Sequence, residues 1–292
     1  MQPTILVPLD GSDIGEDALP TAAMLARQLN ARLHLVHVHK AIMLVYSSDI
    51  CIGQVPTLNT PLDNQCRADE LTYLETTAQR LREQALDVDV TLLSGPVDEA
   101  LSQAAVVDQA ELIVMSTHAR GGAARMVLGS LADALIRTAA TPLVLVHVQD
   151  GPPADPVPPF GHILIGLDGA HLSEQVVPIA RRLGDAMNSR YTLIHILPPH
   201  STGSQRSAAQ IYLNNLALQA ELNPATTEGV MLADEHPAEA ILTYAQTHAV
   251  DLIVLATHGR GGLSRLLYGS VTDSVVQAAD RPILVYRPQE QA

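Results

Sequence analysis

Apolar residues recur along the chain in two alternating patterns. Short runs such as Ile5-Leu6-Val7, Leu112-Ile113-Val114 and Leu143 to Val146 have the length of strands buried on both faces. Between them, positions such as Ala18, Leu19, Ala22, Ala23, Leu25, Ala26 and Leu29 form one helical stripe. The opening therefore reads strand, turn, helix, strand (Arg32 to His39), a unit whose parallel strands are joined by a right-handed crossover. Helices follow at about 67–85 and 97–107, with strands at 88–93 and 142–147. Residues 40–65 carry Gly53, Pro56 and Pro61 among scattered apolar side chains and are expected to be a long mobile loop.

The pattern then starts again. Gly151 to Pro159 is a stiff proline-rich segment, after which Ile163 to Ala170 restates Ile5 to Ser12. Helices are expected at 173–187, 208–222 and 237–247, and strands at 191–197 and 229–233. Glu111 to Val148 and Asp251 to Pro288 superpose without a gap at a separation of 140 positions, Thr117 on Thr257 and Gly129 on Gly269. Asp10 and Asp168 lie 158 apart, so the second half is 18 residues shorter, chiefly after its second strand. Domains at 1–148 and 161–292 with a linker at 149–160 follow. Five strands alternating with helices in each half specify an α/β fold of two doubly wound parallel sheets.

Each repeated stretch interrupts its strand with Thr-His-x-Arg-Gly-Gly and resumes as a helix at Gly-Ser. Glycines let the backbone approach an anion, and the first turn of a helix offers free N–H groups and a positive dipole end. Gly122, Gly129 and Ser130, with Gly262, Gly269 and Ser270, are thus candidate phosphate contacts. The serines are expected at the N-caps, and Arg120, Arg125, Arg260 and Arg265 bring cations to the same place. Taken singly, each glycine could serve only a turn and each serine only a cap; two matching copies favour the anion site. Asp10 and Asp168, at the ends of the first strands, would face these loops across the crevice. There a carboxylate can accept from a ribose hydroxyl or an adenine amino group, or else serve its own turn. His118 and His258 flank the loops as candidate phosphate contacts, though loop packing suits them better because neither has an acid or base partner in sequence.

A net charge of −14 without Lys/Arg runs, no Trp and one Phe argue against nucleic-acid or anionic-membrane binding. No apolar stretch is long enough to span a bilayer. Two cysteines, Cys51 and Cys66, with no leader-like start suggest a reducing cytoplasm. His37 and His39 share a strand face, but no zinc-ligand spacing accompanies them. P-loop, dinucleotide-binding and nucleophile-elbow motifs are absent.

With these residues in view, the chain resembles a tandem universal stress protein, over nearly all of residues 4–288. Each half has the strand-Asp opening and a version of that family's Gly-x2-Gly-x9-Gly-Ser/Thr loop, reading Ser116, Ala119, Gly129, Ser130 and Ala256, Gly259, Gly269, Ser270. The resemblance implies strand order 3-2-1-4-5 and ATP, with Mg²⁺ a candidate companion, bound without catalytic machinery. It further implies pairing of the halves through their fifth strands, with a homodimer of the chain as another candidate assembly. It also implies that the backbones of Val38 and Ile196 contact adenine. Ala119 replaces a glycine near the phosphates, so the second half is expected to bind more tightly. The function implied is that of a stress-response sensor or adaptor. Rivals are a slow ATP hydrolase on the same fold and an interaction protein that has lost its nucleotide.

Overall fold

The computed structural model describes residues 2–40, 43–47, 52–56, 60–117, 128–147, 156–257 and 270–288, the two stretches between 43 and 56 by backbone alone. The first half runs β1 (Thr4–Pro8), α1 (Asp13–Glu16), α2 (Leu19–Leu29), β2 (Arg32–His39), β3 (Met43–Ser47), β4 (Ile52–Pro56), α3 (Pro61–Arg82), β5 (Val88–Ser94), α4 (Val97–Val107), β6 (Leu112–Thr117), α5 (Ser130–Thr138) and β7 (Leu143–His147). The second repeats it as β8 (His162–Leu167), α6 (His171–Glu174), α7 (Val177–Met187), β9 (Arg190–Leu197), α8 (Gly203–Gln219), β10 (Thr227–Ala233), α9 (Pro237–Thr247), β11 (Leu252–Ala256), α10 (Ser270–Ala278) and β12 (Ile283–Tyr286).

The sheet order is β5-β2-β1-β6-β7 in one half and β10-β9-β8-β11-β12 in the other, the 3-2-1-4-5 order twice over. The two five-stranded sheets are joined into one. β7 pairs antiparallel with β12, Val144 opposite Leu284, giving ten strands in a single sheet. The pairing covers the edge that each fifth strand would otherwise leave open, and all six paired residues are buried. The strands read as unbroken apolar runs because helices cover both faces. One face of the sheet packs against α2, α3, α7 and α8, and the other against α4, α5, α9 and α10. α2 and α7 meet across the halves, and Arg182 pairs with Glu111.

Local signals recur at matching places. α2 and α7 each end on an asparagine in the left-handed region, Asn30 at φ 50° and Asn188 at φ 55°, a conformation asparagine adopts at low cost. Two expectations need correction. Within 40–65, β3 and β4 form an antiparallel hairpin rather than a structureless loop. α3 starts at Pro61, six residues before its expected start, because Thr60 accepts from the Asp63 N–H at 3.2 Å and proline suits the first turn. Tertiary contacts, described below, then hold Asp63 in place.

Candidate functional site

In the first half the carboxyl ends of β1, β2 and β6 open into a cleft of about 1030 Å³. It lies where strand order reverses, the position that binds ligands in open α/β sheets. Val36, Val38, Leu101, Met115 and Ala132 give it an apolar wall. Asp10, Gly15, His37, Glu70 and Tyr73 line the opposite side. Asp10, Val38, Ser116, Gly129 and Ser130, which the sequence scattered over 120 positions, thus meet around one space.

The anion end is built by α5. Its N-cap is Gly129, with φ −60° and ψ 144°, and Ser130 is the first helical residue. The expected serine cap is therefore corrected: the cap position is a glycine, no side chain among the described residues caps the helix, and its first turn lines the cleft. In the second half Ser270 likewise begins α10, and Thr272 Oγ1 donates to the Ala256 carbonyl at 2.8 Å, tying that helix to the end of β11. Ala256, like Ser116, is buried. His118, Ala119, Arg120, Gly122 and Arg125, and His258, Gly259, Arg260, Gly262, Arg265 and Gly269, lie outside the described residues.

Both aspartates serve their turns. Asp10 Oδ1 accepts from the Ser12 N–H at 3.0 Å and from its hydroxyl at 2.6 Å. Asp168 Oδ1 accepts from the Ala170 N–H at 2.9 Å. Gly11 and Gly169 follow at φ 80° and 78°, conformations that a side chain would strain. The turn thus fixes each carboxylate at a strand end, Asp10 within the cleft. Asp168, Ile196, Ala256 and Ser270 occupy the corresponding strand and helix ends of the second half.

Sequence reading missed three features. His37 Nδ1 donates to the Leu9 carbonyl at 2.7 Å, and His195 Nδ1 to that of Leu167 at 2.8 Å. These histidines are 158 positions apart, the same interval as Asp10 and Asp168, and that repetition was the available signal. Tyr73 of α3 lines the cleft, and burial, reinforced by Glu16 and Asp10, raises its pKa so that it stays a neutral donor. Finally, four carboxylates line the described part of the cleft, Asp10, Asp69, Glu70 and Asp98, against one cation, Lys40.

A profile of the universal stress protein family matches residues 1–147 and again 159–287. The chain belongs to the universal stress protein family. It is 26% identical over 300 residues to universal stress protein Rv2005c of Mycobacterium tuberculosis, covering 97% of this chain and 96% of that one. Among solved structures, a universal stress protein from Archaeoglobus fulgidus DSM 4304 matches with a TM-score of 0.72 at 14% identity, over 98% of this chain and 97% of that chain. A universal stress protein solved in complex with cAMP is similar to 44% of this chain and 97% of its own, at 19% identity and a TM-score of 0.38. This universal stress protein thus carries the family's sequence pattern twice and the family's fold in each half. Among the described residues, no helix is long and apolar enough to cross a membrane.

Proposed function

We propose that each half, 1–148 and 161–292, is a domain that binds an adenine nucleotide, ATP with Mg²⁺ as counter-ion, and that the chain is a cytoplasmic stress sensor or adaptor rather than a metabolic enzyme. The observation that carries this reading is the charge layout of the first-half cleft. Among the described residues, an anion is favoured at the start of α5, where the N-cap is a glycine, whereas Asp10, Asp69, Glu70 and Asp98 repel one in the rest of the cleft away from Lys40. Along the cleft runs an apolar wall suited to a base. A ligand that is anionic at one end and presents hydroxyl and amino donors and an apolar ring face toward the other is a nucleotide. The Gly-rich loops with their arginines would complete the phosphate contacts, and Ala119 would weaken them in the first half.

Freshly purified protein, denatured and analysed by chromatography and mass for released nucleotide, tests this. At least one adenine nucleotide per chain is expected, the second half retaining its own more firmly than the first. Two would mean that Ala119 is no obstacle. None, with no thermal shift on adding Mg-ATP, refutes the reading and leaves a protein-interaction module.

A further inference from the structure

The first-half cleft contains a buried polar chain that the second half lacks. His39 on β2 has a 1% exposed side chain, and both of its ring nitrogens face carboxylates: Nδ1 lies 2.7 Å from Glu70 Oε2 and Nε2 3.0 Å from Asp63 Oδ1. Asp63 is itself fully buried, with Arg67 Nε 3.4 Å from its other oxygen. The second oxygen of Glu70, Oε1, lies 3.6 Å from Nε2 of His37. The His37 ring is in turn fixed to the Leu9 carbonyl. Glu70 is thus held by His39 through one oxygen, with the other near His37, while its side chain stays 24% exposed and lines the cleft. When Tyr73 is matched to Tyr212, each followed by a buried leucine, the partner of Glu70 is Ala209 and that of Asp63 is Thr202. On β9, Leu197 stands where β2 has His39.

Strand order says which part of a ligand Glu70 meets. From α5 at the end of β6, the cleft crosses β1, with Asp10, and reaches β2, with His37 and Val38. Two strand spacings amount to about 10 Å. That is the order phosphate, ribose, base, and Glu70 beside His37 belongs to the base. We propose that Glu70 is a specificity-determining residue of the first site, accepting a hydrogen bond from the exocyclic amino group of the base, with His39 as its positioning residue. The inference rests on the nucleotide reading of this cleft. A carboxylate held by the His39 imidazole has only acceptors to offer, so it rewards a base edge bearing N–H and penalises one without it. Ala209 makes no such demand, and the two sites of one chain therefore select differently.

The test uses the full chain carrying Leu131→Trp, at a cleft-lining position of α5; the sequence has no tryptophan of its own, so the emission reports the first site alone. ATP and purine riboside triphosphate, which lacks the 6-amino group, are titrated into this protein with Glu70, with Glu70→Ala and with the isosteric Glu70→Gln. With Glu70, ATP is expected to bind at least about tenfold more tightly than the analogue, as for loss of one hydrogen bond to a charged acceptor. The ratio should fall below about threefold in Glu70→Ala and be intermediate in Glu70→Gln, whose retained shape controls for misfolding. Equal binding of both ligands with Glu70 present, or the same ratio in Glu70→Ala, overturns the inference and leaves the nucleotide reading intact. Binding of neither ligand overturns both the inference and the nucleotide reading of the first half.

Discussion

Replacing Gly15 with alanine separates stability from ligand binding, because the two are predicted to respond unequally. Gly15 lies in α1 with an ordinary helical backbone, and by propensity alone an alanine there would stabilise the protein by roughly 1 kcal/mol. The new Cβ, however, would stand 2.6 Å from Asp10 Oδ1. An ordinary contact needs about 3.3 Å, so the carboxylate must retreat by about 0.7 Å. It cannot retreat freely, since that oxygen accepts from both the backbone and the hydroxyl of Ser12. Disrupting one bond to a charged acceptor costs about 1.5–3 kcal/mol, which the propensity gain partly offsets. Net destabilisation of about 0.5–2 kcal/mol is expected by urea denaturation. At the first site Asp10 loses its contact with the ligand, and ATP affinity measured by the emission of Leu131→Trp should fall by about tenfold to a hundredfold. Undiminished affinity together with a full 1 kcal/mol gain in stability would refute the reasoning. The second half has Ser173 at this place and tolerates it because the hydroxyl donates to the Ala170 carbonyl at 2.8 Å. Asp168 Oδ1 accepts from the Ala170 N–H, as Asp10 Oδ1 does from that of Ser12.

Two further predictions follow from packing and titration. His147 on β7 reaches across the halves, its nitrogens each 3.1 Å from a carbonyl, of Arg281 and of Val276. Burial lowers its pKa, and that of His162, below the usual 6.5; the facing carbonyls oppose this, but burial prevails. With folded pKa values depressed, the unfolded chain binds more protons below pH 6.5, so stability is full above that value and is lost as pH falls through it. Thermal melts between pH 7.5 and 5 should show this loss, and His147→Gln should flatten it; an unchanged slope would remove His147 as a cause. Gly184→Ala in α7 should destabilise the protein by about 1–3 kcal/mol despite better helix propensity. Its Cβ would lie 2.3 Å from the Tyr191 hydroxyl, which is held by Arg181 O and Asp185 Oδ1. A variant as stable as the parent in urea would show that Tyr191 yields freely.

Much of this protein was legible along the chain because its signals are local. An apolar run bounded by Asp-Gly, a stripe at helical spacing and an asparagine at a helix end each depend on a few neighbouring residues. The helices at 97–107 and 237–247 accordingly fall where periodicity put them. Repetition added the rest of what sequence determined: two copies of one pattern give two halves of one topology, with Asp10 and Ser130 at equivalent strand and helix ends to those of Asp168 and Ser270. What only the tertiary structure decided was what distant segments do to each other. The β3–β4 hairpin owes its strands to mutual pairing within a stretch whose prolines and glycine read as loop. The single ten-stranded sheet depends on two fifth strands finding each other antiparallel, Val144 against Leu284, which no local pattern encodes. Glu70 belongs to no sequence motif, and folding alone sets it against His37 and His39 from a strand some thirty residues earlier. Backbone preference and burial act over a few residues, whereas the orientation of a charged side chain in a cleft is set by partners that only the completed fold supplies.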